Sequence, residues 1–176
     1  MNQADIEQRL REDSEVQLML TIVERLDLPD WWICAGVLRS KIWGIDQNAQ
    51  SDIDIVYFDP SDISEATEKR HERQLCEWVD LPWSVKNQAR MHLVNELPPY
   101  TSAQDAIAQF PETVTAIGVT KRDKFQLYLP YGANDFTDRV IRPTPSFQVG
   151  TDRHSIFQRR VNEKGWRNNL SLHIQT

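Results

Sequence analysis

Apolar residues near the start of the chain recur at the three- or four-residue spacing of amphipathic helices. Over residues 3–26, Val16 and Leu20 fall on one face of such a helix. Ser14 predicts the N-cap of a second helix within this range, and Pro29 ends the helical pattern. The sequence therefore predicts two helices before the first strand.

The next segments change to the pattern of strands. Residues 31–35 form a short apolar run that predicts a buried strand, Gly36 follows it, and residues 37–43 predict a helix that begins directly after the glycine. Residues 51–59, SDIDIVYFD, alternate and are rich in β-branched and aromatic side chains, which predicts a second strand that ends before Pro60.

Strand and helix signals then continue without a regular βαβ alternation. The remaining predicted elements are a charged helix over 62–79, a strand that starts near 81, a helix opened by a capping box at 102–105, a β-hairpin that turns at 121–123, and a basic, partly helical tail over 152–176. Ile63, Ala66, Leu75 and Val79 are expected on the buried face of the charged helix. This mixture predicts an α+β fold with a mixed sheet.

Length and composition fit one domain with a real core. The chain has 176 residues, of which 40% are hydrophobic and 26% charged, and it lacks repeats and low-complexity tracts. We expect a single domain over residues 1–176, with its core over about 31–145 and a C-terminal tail over 146–176. The net charge of −6 argues against a protein that coats duplex nucleic acid, because neutralising phosphates needs excess Lys and Arg. A small anion in a local basic pocket remains compatible with that charge.

Several features favour a cytoplasmic protein with no membrane association. No apolar run approaches the roughly 20 residues that span a bilayer. The first ten residues, MNQADIEQRL, are polar and unlike a signal peptide. Cys34 and Cys76 lie far apart without metal-type or redox-type spacing, so we expect two reduced, buried thiols.

Two aspartates share one face of the predicted strand over residues 51–59. Side chains two positions apart in a strand lie about 6.5 Å apart on the same side, so Asp52 and Asp54 repel each other. A divalent cation between them makes the arrangement favourable, since carboxylate oxygens are good Mg²⁺ ligands. The alternative is an edge strand whose polar face is simply solvated.

The turn before this strand offers a place for phosphate. A helix that begins at Gly36 presents free N–H groups and the positive end of its dipole, and Arg39 lies one turn inside it. A glycine between a strand and a helix is common, so by itself it is a weak sign of a phosphate site. Followed by the Asp-x-Asp strand, it forms a two-part pattern that suits nucleotide phosphates and metal.

The sequence resembles the DNA polymerase β-type nucleotidyltransferase superfamily and, within it, a small bacterial nucleotidyltransferase-like family. The segments that carry the resemblance are residues 35–39 (AGVLR), 51–59 (SDIDIVYFD), 85–92 (VKNQARMH), 110–113 (FPET), 129–136 (LPYGANDF) and 142–145 (RPTP). The resemblance implies a mixed sheet flanked by helices, with Mg²⁺ or Mn²⁺ held by Asp52 and Asp54 as catalytic residues. It also implies a nucleoside triphosphate as donor and a small-molecule or protein acceptor whose identity stays open.

Lys86, Asn87 and Arg90 form a polar cluster at the end of the strand near residue 85. Given the resemblance, we expect these residues, together with Gly36 and Arg39, to bind phosphate or substrate. The alternative is a hydrogen-bonded strand end with an ordinary surface arginine.

The sequence also departs from the family pattern. The resemblance places a third carboxylate where Ser84 stands, a Gly-Gly or Gly-Ser pair where Gly36 and Val37 stand, and Leu followed by an acidic residue at positions 133–134. Serine cannot replace a metal-bridging carboxylate or general base. Two hypotheses therefore stay open: a Mg²⁺-dependent nucleotidyltransferase, and a noncatalytic nucleotide- or metal-binding module. A third, weaker hypothesis is a scaffold protein whose acidic strand face is simply solvated.

Overall fold

The computed structural model describes residues 1–45 and 51–176. The helices are α1 (Gln3–Glu12), α2 (Ser14–Glu24), α3 (Gly36–Trp43), α4 (Glu65–Trp78), α5 (Gln88–Asn95), α6 (Ala103–Ala108), α7 (Asn134–Thr137) and α8 (His154–Glu163), with 3₁₀ turns at Pro145–Phe147 and Trp166–Asn168. The strands are β1 (Trp32–Cys34), β2 (Ile53–Tyr57), β3 (Trp83–Asn87), β4 (Gly118–Thr120), β5 (Gln126–Tyr128), β6 (Val140–Ile141) and β7 (His173–Ile174).

The main sheet is mixed, as the sequence predicts. Its strand order is β3-β2-β1-β4-β5. Strand β2 pairs in parallel with β3 and antiparallel with β1, and β4 joins β1 and β5 in antiparallel ladders. The β4–β5 pair confirms the predicted hairpin, and β6 and β7 form a separate parallel pair. The α+β fold with a mixed sheet is therefore confirmed.

The two faces of the sheet carry cores of unequal size. Ile33, Ile55 and Val85 are fully buried in the larger cluster, which also takes in the N-terminal helices and the tail. The smaller cluster joins Trp32, Cys34 and Val56 to α6. Because side chains alternate along a strand, Asp54 falls on the face of the smaller cluster. That face leaves room for a polar cavity at one end of the sheet.

Some predicted details of the helices are wrong. The N-cap of α2 is Asp13, whose Oδ1 accepts from the backbone N–H groups of Glu15 and Val16 at 3.0 Å, and Ser14 is the first helical residue.

In α4, Ile63 precedes the helix and is 46% exposed, and Ala66 is exposed. Cys34 is buried as predicted, but Cys76, also expected to be buried, is exposed on α4.

Helix α4 turns a polar side to the sheet because β3 is an edge strand. Glu68 and Glu72 accept hydrogen bonds from the backbone N–H groups of Asn87 (2.8 Å) and Val85 (3.0 Å). Strand edges with unpaired N–H groups need such cover. Leu75 is buried as predicted, and Glu68 shares the buried face of the helix with it.

The tail packs into the larger core cluster. Phe157 and Val161 of α8 are fully buried, and Trp166 is 7% exposed. The prediction of a partly helical tail is confirmed. Within the described ranges, no helix is long and apolar enough to cross a membrane.

Candidate functional site

The aspartate pair lies where β2 begins. Asp52 directly precedes β2 and is exposed, and Asp54 is half-buried within it. In the sheet register Asp54 stands between Cys34 of β1 and Ser84 of β3. The position that the resemblance gives to a third carboxylate is thus beside Asp54, and a serine occupies it.

The turn from β1 into α3 has a conformation that glycine usually supplies. Ala35 has φ 61° and ψ −127°, outside the regions favoured for residues with a side chain. Gly36 does not share this positive φ, and a Cβ on it would meet Arg39 Nη2 at 3.7 Å, an ordinary contact. The strained residue is therefore Ala35, and Gly36 keeps space open above the helix start.

The first turn of α3 is suited to an anion. No described side chain caps the helix at Ala35. The first N–H groups of a helix lack intrahelical partners and attract negative charge. Ala35 and Gly36 line a cavity, so these donors lie at its wall.

The cavity brings the predicted metal and phosphate residues together. Its volume is about 230 Å³. It is lined by Ala35, Gly36, Arg39, Ser40, Ser51, Asp52, Asp54, Thr115, Arg160 and Lys164. Four residues singled out from the sequence, namely Gly36, Arg39, Asp52 and Asp54, are among them. A volume below the roughly 300 Å³ of common ligand pockets suits phosphates and metal better than a whole nucleotide.

Arg39 lies beneath the cavity against aromatic rings. Its guanidinium carbon is 5.0 Å from the ring centroid of Trp166 and 5.7 Å from that of Trp43. Burial lowers its pKa to about 10, so it stays protonated at neutral pH. No carboxylate of the described residues forms an ion pair with it. The two aromatic rings hold the charge in place and leave its donors for a ligand.

Arg160 reaches the cavity from the tail and is fixed by a buried acid. Its Nε and Nη2 donate to the Glu112 carboxylate at 2.6 and 3.1 Å. Glu112 is fully buried and also accepts from Thr115 Oγ1 at 2.7 Å. This bidentate pair locks α8 onto the loop after α6 and sets Arg160 beside the aspartates.

The charges around the two aspartates determine how well the pair would fit a cation. Burial and, after it, the negative charge of Asp52 raise the pKa of Asp54 to about 6. Lys164, Arg160 and Arg39 act in the opposite direction. A divalent ion would relieve both causes of the raised pKa, so the pair fits Mg²⁺ or Mn²⁺.

The protein alone offers few ligands for that ion. No group of three or more His, Cys, Asp or Glu side chains within residues 1–45 and 51–176 could hold a metal. Mg²⁺ in nucleotide sites is commonly held by one or two carboxylates together with substrate phosphates and water. The residues therefore fit a cation that binds jointly with a nucleotide.

Three residues predicted to bind phosphate or substrate lie in a different network, and none of them lines the cavity. Arg90 donates to both oxygens of Glu68 at 3.0 and 2.7 Å, and Lys86 lies 3.8 Å from the same carboxylate. Asn87 is fully buried and donates to the carbonyl oxygen of Asp59 at 2.7 Å. Each of these contacts is within the protein. The role of the three residues in binding phosphate or substrate remains a prediction.

Sequence reasoning missed the residues that the tail and the 110–113 segment supply. Arg160, Lys164 and Thr115 are among the lining residues, yet none was a candidate. The available signals were the basic composition of the tail and an acid in the FPET segment. Neither signal says that α8 would fold back over the sheet.

Known proteins are similar to this chain in sequence and fold. A family model described as a nucleotidyltransferase matches residues 21–172. A protein structure solved by NMR, reported to reveal a CCA-adding enzyme head domain, is 34% identical with a TM-score of 0.85, and the match covers 99% of this chain and 96% of that one. A search of curated proteins found no match. The nucleotidyltransferase-like fold expected from the resemblance is confirmed.

More distant structures share the fold. A Thermotoga maritima CCA-adding enzyme complexed with tRNA is 14% identical with a TM-score of 0.62, and a CCA-adding enzyme in complex with CTP is 14% identical with a TM-score of 0.58. Each match covers 100% of this chain but only 43% and 44% of those chains. The chain thus spans less than half the length of these two enzymes.

Proposed function

Because the chain belongs to the nucleotidyltransferase family, we propose that it transfers a nucleoside monophosphate from a nucleoside triphosphate to a hydroxyl group of an acceptor. One observation carries this proposal. Asp52 and Asp54 share a cavity with the uncapped start of α3 and with Arg39, Arg160 and Lys164. Carboxylates for metal and cations for phosphate are the parts that phosphoryl transfer requires.

Each part of the cavity has a distinct task. The N–H groups at the start of α3 and the guanidinium of Arg39 would bind the phosphates farthest from the sugar. Arg160 and Lys164 would bind the negative charge that develops as the pyrophosphate leaves. Asp52 and Asp54 would hold Mg²⁺ or Mn²⁺, which supplies charge neutralisation at the reacting phosphate when bound.

The reaction balances without a further reagent. The acceptor hydroxyl oxygen forms a bond to the α-phosphorus, the bond from that phosphorus to the β-phosphate oxygen breaks, and pyrophosphate leaves. The hydroxyl proton passes to solvent or to a base near the acceptor. CTP and ATP are the first donors to test, because CCA-adding enzymes have been solved in complex with each.

A residue-resolved NMR titration tests the proposal. We expect CTP or ATP with Mg²⁺ to shift the amide signals of Gly36, Val37 and Asp54, and to shift them much less when EDTA removes the metal. The double variant Asp52→Ala/Asp54→Ala should lose the Mg²⁺-dependent part. If millimolar Mg²⁺ with nucleotide leaves these signals in place in the natural protein, nucleotide binding at this cavity is excluded.

A noncatalytic nucleotide-binding module is the second candidate, favoured by Ser84. Register sets this serine beside Asp54, and the described residues contain no cluster of three metal-binding side chains. Such a module would bind Mg²⁺ and nucleotide but release no pyrophosphate. Single-turnover incubation of the protein with labelled CTP and Mg²⁺, with and without Ser84→Asp, separates the two. Labelled pyrophosphate from the natural protein establishes transfer or hydrolysis, and its appearance only with Ser84→Asp favours the module.

A further inference from the structure

A second cavity adjoins the candidate active site through Arg160. Its volume is about 370 Å³, and Arg160 belongs to the lining of both cavities. Arg153 and Arg159 also line it, together with Phe110 from the segment before Glu112. It therefore combines three arginines with an aromatic wall at the edge of the nucleotide cavity.

Two of these arginines have a weak carboxylate partner or none. Arg159 faces Glu163 at 3.8 Å, with side chains that are 66% and 65% exposed. Exposed ion pairs at such distances contribute little and exchange easily with other anions. Within the described part of the chain, Arg153 has no carboxylate partner. The charge of this cavity is thus available to a ligand.

Neighbouring groups fix the position of the Arg153 side chain. Its Nη2 donates to the carbonyl oxygen of Asn95 at 3.1 Å, and its guanidinium lies 4.8 Å from the ring centroid of Phe147. Its Nη1 is buried and finds no hydrogen-bond partner among the described residues. Buried charged donors are nearly always satisfied in native proteins, so an unpaired one marks a place for an acceptor atom.

We propose that this cavity binds a phosphate group of the acceptor substrate. The inference rests on the proposed function, since it assigns the second substrate to a site next to the nucleotide. Guanidinium groups bind phosphate with paired hydrogen bonds, and Arg153 and Arg159 can supply them. The volume suits a phosphorylated small molecule that carries a free hydroxyl. Arg160 would then contact both substrates and keep them in reach of each other.

The test uses inorganic phosphate and glycerol 3-phosphate as probes in NMR titrations of the full chain. Each is added to the free protein and to protein saturated with Mg²⁺ and a nonhydrolysable CTP analogue. We expect glycerol 3-phosphate to shift the amide signals of residues 153–159 in both cases. Its apparent Kd should rise at least fivefold in Arg159→Gln, whose side chain is exposed enough to leave folding intact. Arg73→Gln, an exposed arginine of α4, should leave Kd unchanged.

The readouts separate this inference from the proposed function. Signals of Gly36 and Asp54 report the CTP analogue, and signals of residues 153–159 report the phosphate probes, since Arg160 lines both cavities. If the analogue binds but abolishes all probe shifts, phosphate occupies only the nucleotide cavity and the inference is wrong. If neither probe shifts residues 153–159 at 50 mM, it is also wrong. If the probes bind but the analogue does not, the assignment to an acceptor substrate falls together with the proposed function.

Discussion

Replacing Asp54 by asparagine should stabilise the protein when no metal is bound. The fold holds this carboxylate with a pKa of about 6, raised by burial and by Asp52. Above pH 6 the ionised group therefore opposes folding. A rise from 3.8 to about 6 corresponds to about 3 kcal/mol at 1.36 kcal/mol for each pKa unit. Partial exposure and the need to satisfy the new amide reduce this, and we expect a gain of about 2 kcal/mol.

The gain should depend on pH with a defined sign. Because the pKa is higher in the folded state, the wild-type protein binds a proton on folding between about pH 4 and 6. The contribution of Asp54 to stability is thus full below the unfolded pKa and is lost as the pH rises through 6. The advantage of Asp54→Asn should be complete at pH 8 and should disappear near pH 4.

Thermal unfolding followed by circular dichroism in EDTA measures this effect. We expect the Tm of Asp54→Asn to exceed that of the wild type by about 4–8 °C at pH 8, given about 2–4 °C for each kcal/mol in a domain of this size. Asp123→Asn makes the same chemical change at an exposed turn and should leave the Tm unchanged. A lower Tm for Asp54→Asn at pH 8 would mean that the carboxylate makes net favourable contacts, which refutes the reasoning.

Three further substitutions test the fold around the site by urea unfolding. Ala35→Gly should raise the free energy of unfolding by about 1 kcal/mol because a φ of 61° suits glycine. The same change at Ala66, an exposed residue of helix α4, should lower it by about 1 kcal/mol. A loss at position 35 would contradict this. Glu68→Gln should lower the free energy of unfolding by about 3 kcal/mol, because Arg90 loses its buried counter-charge. Nucleotide affinity should stay unchanged, and an altered affinity would instead support a binding role for Arg90. Gly118→Ala should cost about 1–2 kcal/mol, since a new Cβ would lie 3.1–3.2 Å from two core side chains, and full stability would show that they can move.

Local pattern was sufficient for most elements of the fold. The alternation over residues 51–59 and the apolar run over 31–35 predicted strands that the structure contains as β2 and β1. Such predictions succeed because the side-chain period of a strand is local. The buried face of α4 was predicted only in part, for a nonlocal reason. Glu68 points inward because an edge strand 19 residues later needs its carboxylate.

In the candidate site, too, some residues were recognisable from the local sequence and others depend on long-range contacts. Asp52, Asp54 and Gly36 were recognisable because two carboxylates on one strand face and a helix start need only short spacings. The grouping of Arg39 with them is also a local consequence of α3. In contrast, the sequence did not show that Lys86, Asn87 and Arg90 would contact Glu68 and backbone atoms, and their ligand-binding role stays a prediction. A polar side chain shows its chemistry in the sequence but not its partner.

The sequence alone determined the mixed α+β fold, the aspartate pair and the turn at Gly36 into α3, because each was recognisable from residues near each other in the chain. Only the tertiary structure decided which charges surround that pair. Arg160 reaches the cavity and is held there by a hydrogen bond to the buried carboxylate of Glu112, 48 residues away. The tertiary structure also decided the pKa of Asp54, because burial raises it, while Lys164 and Arg160, which lower it, come near only when the tail packs over the sheet. Long-range packing thus places the basic groups beside the acids.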